Sequence, residues 1–296
     1  MRPENCLLRT SSGRRPAFTL LELLVVIALL ALLASLLAPA LARTQPNGQA
    51  ARCQNNHRQL IAAWLMYCAD YGEKMPYNLH GAAAQGGAGY TLNGALVYGW
   101  AEGWCDWTTS TDNTNMSWLI GSKPLLAPYV AKASSIYKCP ADVFLSPVQR
   151  HVGWSARVRS VTCNLYLGQG NVSSGPTDAI YRQQVQKLSD LQFPTVGTTW
   201  VFMDEHPDSI NDPGLFAPHQ TAWIDVPATY HNGATPVSFA DGHLEMRKWT
   251  GSLTSLRARQ VLYQDTGNGE ITAGPNDPDI EWLAYRTPRL SATFPW

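Results

Sequence analysis

The sequence predicts an α+β fold in which a long N-terminal helix packs on an antiparallel β-sheet with loop-rich insertions. Residues 18–42 form an almost uncharged apolar run, and residues 50–71 place apolar side chains at helical spacing. The C-terminal half holds short β-branched and aromatic runs between turn residues, which is typical of strands. With 296 residues and no formal net charge, the chain can form one large domain, and nothing indicates a nucleic-acid-binding surface.

The first element, residues 18–42, is long enough to cross a membrane. At about 1.5 Å per residue, such a helix spans a hydrocarbon core of roughly 30 Å. Arg14 and Arg15 precede it, so the positive-inside rule places the N-terminus in the cytoplasm and the rest of the chain outside. We therefore expect a single-pass protein of the inner (cytoplasmic) membrane with a periplasmic (extracytoplasmic) C-terminal domain. The plain alternative is an ordinary signal anchor.

Glu22 is the single charge in this run, and a carboxylate inside a membrane helix is costly enough to suggest a function. The stretch from Arg14 to Glu22 resembles the processing site of type IV prepilins and type II secretion pseudopilins. That resemblance implies cleavage by prepilin peptidase between Ala17 and Phe18 and N-methylation of Phe18, so that residues 1–17 are a leader. Ala17 departs from the family pattern, which usually has Gly before the cut.

The same resemblance implies a structural subunit and not an enzyme. The new α-amino group at Phe18 and the Glu22 carboxylate of a neighbouring subunit can neutralise each other in an apolar filament core, where either charge alone is costly. Pro39 lies where many pilins carry a proline, and inside a helix it removes one hydrogen bond. The implied partners are other pilin or pseudopilin subunits. Together they would form a type II secretion pseudopilus or a type IV pilus-like fibre.

Residues 43–72 are expected to form a hinge followed by an amphipathic helix. Pro46 and Gly48 disfavour helix, so a break is predicted at residues 43–49. Beyond the break, apolar residues recur on one face and Gly72 is a plausible C-cap. The members of this apolar stripe are Leu60, Ile61, Trp64, Leu65 and Cys68.

Residues 73–296 are expected to form the extracytoplasmic globular domain. Up to residue 135 the chain is rich in Gly, Ala and aromatic residues with poor periodicity, which predicts an irregular, loop-rich region. Residues 156–167 and 196–204 are predicted strands, because β-branched and aromatic residues lie there between turn signals.

A hairpin is predicted around Asp241-Gly242, because this dipeptide between alternating runs favours a two-residue type I′ turn. The predicted register pairs Phe239 with Leu244. One face of the hairpin would then pack on the long helix or the core. That face comprises Val237, Phe239, Leu244 and Met246.

His231 and Asp241-Gly242 are separated by nine residues. This arrangement resembles the C-terminal H-x9-DG signature of a large family of bacterial prepilin-like proteins. The resemblance implies assembly into a pilus-like fibre and no particular reaction. Other stretches that resemble the family are residues 55–59, 139–142, 202–212 and 277–283.

Several side chains of the types that bind metals lie near predicted strand ends and turns, where they could hold a divalent cation. The alternative is that Asp241 is a turn residue and that the His231 ring bonds a backbone group. The candidate ligands are Asp204, Glu205, His206, His231, Asp241 and His243.

A second candidate site lies near the C-terminus, where Asp265, Asn268 and Glu270 offer oxygen ligands at short spacing. Major pseudopilins commonly hold a calcium ion in a C-terminal loop, so the resemblance implies Ca²⁺ here. The run is not a complete EF-hand loop, and a polar surface turn is the alternative.

Six cysteines are present, and Cys6 would leave with the leader. On the oxidising side of a membrane the remaining five can form at most two disulfides. We expect a Cys53–Cys139 disulfide that ties the long helix to the globular domain. No C-x-x-C pair is present, which argues against zinc.

The alternative function is a membrane-anchored extracytoplasmic binding or metal-dependent hydrolytic protein. In that case the Trp-rich loop of residues 100–118 would face a polysaccharide, and the His/Asp group would hold a metal. The sequence has no G-x-S-x-G elbow, P-loop or H-E-x-x-H motif, so catalysis is not predicted.

Overall fold

The computed structural model describes the chain in several segments, with backbone only for residues 34–47. These segments are residues 20–171, 181, 184–254, 261–263 and 271–292. The chain divides into two compact units, Met1–Gln45 and Pro46–Trp296. The predicted leader, residues 1–17, lies outside the described residues.

Helix α1 spans Leu20–Asp70 and includes residues 43–49, so the predicted break in the helix is wrong. Pro46 removes one hydrogen bond and Gly48 costs about 1 kcal/mol, whereas helix propagation on both sides is cooperative. The boundary between the two compact units nevertheless falls inside this stretch, at Gln45 and Pro46. Within the part of the chain that the structure describes, no helix combines the length and apolarity needed to cross a membrane.

The apolar stripe predicted for the second part of α1 is confirmed. Leu60, Ile61, Trp64 and Cys68 are buried and Leu65 is half-buried, while Arg58 and Gln59 on the other face are exposed. Gly72 follows the helix with a φ of +63°, as a C-terminal glycine does.

A five-stranded mixed sheet forms the centre of the second unit, and its strands lie in the order β5 (Gly214–Leu215), β3 (Val161–Asn164), β4 (Trp200–Asp204), β7 (Ala234–Phe239) and β8 (Leu244–Lys248). The pairs β3–β4, β4–β7 and β7–β8 are antiparallel, whereas β3 and β5 are parallel. The sheet is therefore not purely antiparallel, and β3 and β4 are shorter than the predicted runs.

The predicted loop-rich insertion consists of short elements. Its two strands, β1 (Tyr90–Leu92) and β2 (Ala95–Val97), form a separate antiparallel hairpin, and β6 (Ala222–Trp223) pairs with β9 (Ile271–Thr272) elsewhere. Helices α2 (Ser117–Ile120), α3 (Pro147–His151) and α4 (Pro278–Ala284) are all short. Within the described segments, the 3₁₀ turns are Gly81–Ala83, Gln85–Gly87, Thr111–Asn113, Ala127–Val130, Ser134–Tyr137, Leu188–Asp190, Val196–Thr198 and Ser252–Thr254.

The β7–β8 hairpin is present, but its predicted register is wrong by one residue. Ser238 pairs with Leu244 and Val237 with Glu245. The Gly242 N–H donates to the Phe239 carbonyl at 2.9 Å, and Gly242 alone of the two turn residues has a positive φ, +92°. The loop is therefore a three-residue type I turn that ends in a left-handed glycine, because only glycine adopts that φ without a steric cost.

The shifted register also changes which β8 side chains share a face with Val237 and Phe239. Val237 and Phe239 lie in a core cluster with Ile280 and Leu283 of α4, and not in the cluster that contains the α1 stripe. Leu244 shares the opposite face with Ser238. The prediction that Val237, Phe239, Leu244 and Met246 form one face is thus wrong, because Leu244 and Met246 pair with Ser238 and Pro236 and lie on the other face of the sheet.

Glu102, in the loop-rich insertion, is a buried carboxyl group at 1% exposure. Its Oε1 accepts the Gly99 N–H at 2.5 Å, and its Oε2 has no hydrogen-bond partner among the described residues. Burial raises the pKa of Glu102 to about 7. The folded state therefore holds this proton more tightly than the unfolded chain does, and folding stability falls as pH rises from about 4.5 to about 7.

Replacing Glu102 with glutamine should remove this pH dependence, since an amide oxygen can still accept the Gly99 N–H. Between pH 4.5 and pH 7.5 we expect the unfolding free energy of the wild type to fall by about 3 kcal/mol relative to that of the variant. Urea unfolding at several pH values measures this difference, with Glu73→Gln at an exposed site as the control. A difference that does not change with pH contradicts the prediction.

Candidate functional site

Five buried or half-buried side chains from four segments meet where α1 lies against the sheet. Two come from α1, one from the turn after Ser134–Tyr137, one from the end of β4, and one from the turn before β7. We call this group the Cys/His/Asp cluster. Its members are Cys53, His57, Cys139, Asp204 and His231.

The Asp204 carboxylate is the centre of one half of the cluster. Its Oδ2 accepts a hydrogen bond from Cys53 Sγ at 2.9 Å and lies 3.2 Å from His57 Nε2. Its Oδ1 accepts from Ser160 Oγ at 2.7 Å. Burial by itself raises the pKa of Asp204, but the hydrogen bonds and the nearby imidazole outweigh it and hold the pKa below its usual range. Asp204 is therefore a buried anion whose carboxylate oxygens accept hydrogen bonds and are of the type that binds metal ions.

The other half of the cluster joins the two thiols and His231. Cys139 Sγ lies 3.2 Å from His231 Nε2, and the ligand atoms of Cys53, Cys139 and His231 all lie within 4.8 Å of one another. The Cys139 N–H donates to Ser160 Oγ at 2.7 Å, so Ser160 connects the two halves. Burial lowers the pKa of His231, which favours the neutral imidazole that binds metals.

The predicted Cys53–Cys139 disulfide is not formed in the structure. All five cysteines that the structure describes are free, buried thiols. The pKa of Cys53 is raised by its hydrogen bond with Cys139 and by burial, and burial raises that of Cys139. Their sulfurs are nevertheless close, so the prediction identified two side chains that the fold brings together.

The structure does not bring the predicted metal ligands together as one group. Asp204 and His231 belong to the cluster, but the Glu205 Oε1 accepts from Ser209 Oγ at 2.7 Å, and successive strand residues face opposite sides. Asp241 and His243 interact with each other at 2.6 Å on the exposed β7–β8 turn.

His206 is also placed away from the cluster, and its Nδ1 accepts the Asp208 N–H at 3.2 Å. Asp265, Asn268 and Glu270 lie outside the described residues, so the Ca²⁺ prediction stays a prediction.

The remaining predicted residues lie at the N-terminus or on β7. Ala17 and Phe18 are outside the described residues, Glu22 is exposed in the first turn of α1, and Pro39 lies within α1. His231 and Asp241-Gly242 lie before and after β7, so the nine-residue spacing corresponds to one strand and its turn.

Sequence analysis missed His57 and Ser160. His57 follows Cys53 by one helical turn on the apolar face of α1, and that spacing was the available signal for a ligand pair. Ser160 carries no such signal, because its partners Cys139 and Asp204 are distant in sequence.

The Trp-rich loop contributes two buried tryptophans to the core, so it is not an open binding surface. Trp100 is fully buried, with its ring stacked on Tyr137 and 4.9 Å from Phe202, and Trp107 is buried and donates to Asp208. Trp104 and Trp118 are half-buried. Trp100 and Trp107 therefore cannot face a polysaccharide.

Comparison with known proteins gives one local match. No curated protein and no solved structure matches the chain. Residues 13–38 match the family model of the prokaryotic N-terminal methylation motif, and this stretch includes Ala17, Phe18 and Glu22. The H-x9-DG stretch lies outside this match. The N-terminal match supports a prepilin-like protein of the structural, membrane-anchored kind.

Proposed function

We propose that this protein is a pseudopilin-type subunit that prepilin peptidase cleaves before Phe18 and that then assembles through α1 into a pseudopilus or pilus-like fibre. Its N-terminus would face the cytoplasm and its second unit would lie outside the inner membrane. The methylation motif at residues 13–38 is the observation that carries this proposal. The proposal also includes a Ca²⁺ site formed by Asp265, Asn268 and Glu270.

The exposed surface of α1 supports assembly. The described residues 20–33 are all exposed, and their large apolar side chains range from Val26 at 43% to Leu20 at 78%. A continuous apolar surface of this length is normally covered by lipid or by other protein. Lipid before assembly and neighbouring helices after it would supply that cover.

Glu22 supports the same mode of assembly. It lies in the first turn of α1, within the apolar residues 20–33. A helix N-terminus favours a nearby carboxylate, and the methylated amine of an adjacent subunit would supply an opposite charge. Cleavage thus creates the group that Glu22 requires in a fibre.

A binding function for the Trp-rich loop is the weaker candidate. Trp100 and Trp107 are buried in the interior, so little aromatic surface is left for a glycan. Binding of a polysaccharide by the full-length protein on a glycan array, at a site abolished by Trp104→Ala, would favour this candidate.

Processing provides the direct test of the proposed function. In cells that contain prepilin peptidase, we expect mass spectrometry of the membrane fraction to show a mature N-terminus at N-methylated Phe18. Ala17→Gly should be processed at least as completely, because Gly is the usual residue before the cut. Ala17→Leu should accumulate with its leader, because a bulky side chain at the cut would not fit the peptidase. An intact leader on the wild-type protein in those cells would contradict the proposal.

A further inference from the structure

We infer that the Cys/His/Asp cluster is a structural zinc site that fixes the second part of α1 to the globular unit. The ligands are the thiolates of Cys53 and Cys139, the His231 imidazole and the Asp204 carboxylate. His57 and Ser160 hold the carboxylate in place. This site is independent of the proposed function, since it involves no residue of the methylation motif.

The donor set is the first argument. Two sulfurs and one imidazole nitrogen lie within 4.8 Å of one another, and the carboxylate touches one of the sulfurs at 2.9 Å. Zinc prefers four such donors in a tetrahedron, with bonds of about 2.0–2.3 Å, which places ligand atoms roughly 3.3–3.8 Å apart. The 3.2 Å separation of Cys139 Sγ and His231 Nε2 is close to that range, and the 2.9 Å separation of Cys53 Sγ and Asp204 Oδ2 would lengthen when a metal ion replaces the thiol proton between them.

Burial is the second argument. Cys53, Cys139 and Asp204 are all at 0% exposure and His231 is half-buried, so three of the four donors are shielded from bulk solvent. The Asp204 carboxylate is kept anionic there by Cys53, Ser160 and His57, and an anionic carboxylate oxygen is a donor that zinc binds. Soft thiolates with an imidazole select zinc over magnesium or calcium, which prefer oxygen ligands.

The surrounding hydrogen bonds are the third argument. Ser160 Oγ donates to Asp204 Oδ1 at 2.7 Å, and His57 Nε2 lies 3.2 Å from Oδ2, so both carboxylate oxygens are oriented. Metal sites usually contain such supporting groups around their ligands. His57 Nδ1 is buried and has no hydrogen-bond partner among the described residues, so the ring has no other polar contact that explains its position.

The absence of a C-x-x-C pair does not exclude this site. In this chain the ligands come from four separate segments, and Cys53 and Asp204 are 151 residues apart. Zinc binding would displace the two thiol protons and bridge α1 to β4 and to the turns that carry Cys139 and His231. The main competing chemistry is a Cys53–Cys139 disulfide, which would consume both sulfur ligands.

The test uses the full-length protein in mild detergent, with thiols reduced and metals removed by a chelator. We expect one Zn²⁺ to bind per chain, and Co²⁺ to give a thiolate charge-transfer band with the visible bands of a tetrahedral site. Cys53→Ser and Cys139→Ser should each weaken Zn²⁺ binding at least 100-fold. His57→Gln should weaken it about 10-fold, as loss of a supporting group does.

Cys105→Ser and Cys163→Ser are matched controls, because both remove a buried free thiol outside the cluster, and both should bind Zn²⁺ normally. Circular dichroism checks that each variant is folded. Asp204→Asn keeps the side-chain shape, so the Co²⁺ form should retain the thiolate charge-transfer band but show changed visible bands. The inference is overturned if the reduced, folded wild type binds neither metal. It is equally overturned if peptide mapping of the native protein finds Cys53 and Cys139 joined as a disulfide.

Discussion

Replacing Glu22 with alanine should leave the protein in the membrane fraction but abolish its assembly into fibres. The apolar residues 20–33 do not depend on Glu22 for insertion, and removing a charge makes that stretch more apolar. Assembly is different, because the methylated amine of each added subunit would then lie in an apolar core without an opposite charge. An uncompensated buried charge costs about 3–5 kcal/mol, which lowers an assembly equilibrium by two to three orders of magnitude or more.

Three variants make this result specific. Leu24→Ala removes more side-chain volume from the same exposed stretch without changing charge, and it should assemble. Glu22→Gln keeps the shape but not the charge and should fail like Glu22→Ala, whereas Glu22→Asp should assemble in part. Shear fractionation with electron microscopy measures fibres, and carbonate extraction measures insertion. Wild-type amounts of fibre from Glu22→Ala would rule out charge pairing as the basis of assembly.

Replacing Trp100 with alanine should destabilise the second unit by about 3–5 kcal/mol, the range for deleting a large buried aromatic side chain. Trp100 is at 0% exposure and its ring lies 6.0 Å from Tyr137 and 4.9 Å from Phe202 of β4. The same cluster contains Leu60 and Trp64 of α1, so the cavity would loosen the helix from the sheet. A loss of this size is a large fraction of the stability of an ordinary domain.

The matched control is Trp154→Ala, which makes the same change at a half-buried position after α3. It should cost about 1 kcal/mol, because less apolar surface is lost from the interior. Urea unfolding of the full-length protein in detergent, followed by far-ultraviolet circular dichroism, measures both. Equal effects of the two substitutions would mean that Trp100 is not a core residue and would reopen a ligand-binding role for the Trp-rich loop.

The β7–β8 hairpin shows that the sequence pattern predicted the position of the turn but not the length of the loop or the register of the strands. Asp241-Gly242 correctly indicated a turn, because the need for a left-handed residue is local. Two loop lengths are compatible with that dipeptide, and they differ by one residue in register. The structure uses the longer loop, in which Ala240, Asp241 and Gly242 connect Phe239 to His243 and Ser238 pairs with Leu244. No local signal carries that information.

Features that depend on neighbouring residues along the chain could be predicted from the amino-acid sequence. These are the methylation motif at residues 13–38, the apolar stripe of α1, the turn at Gly242 and the irregular character of residues 73–135. Which metal-binding side chains meet depends instead on contacts between distant parts of the chain. Cys53 and His57 approach Asp204 only because α1 lies across the end of β4, and His231 reaches Cys139 across 92 residues. Contacts of that separation are set by how helix and sheet cover each other's apolar faces, a property of the whole core that no short stretch of sequence contains.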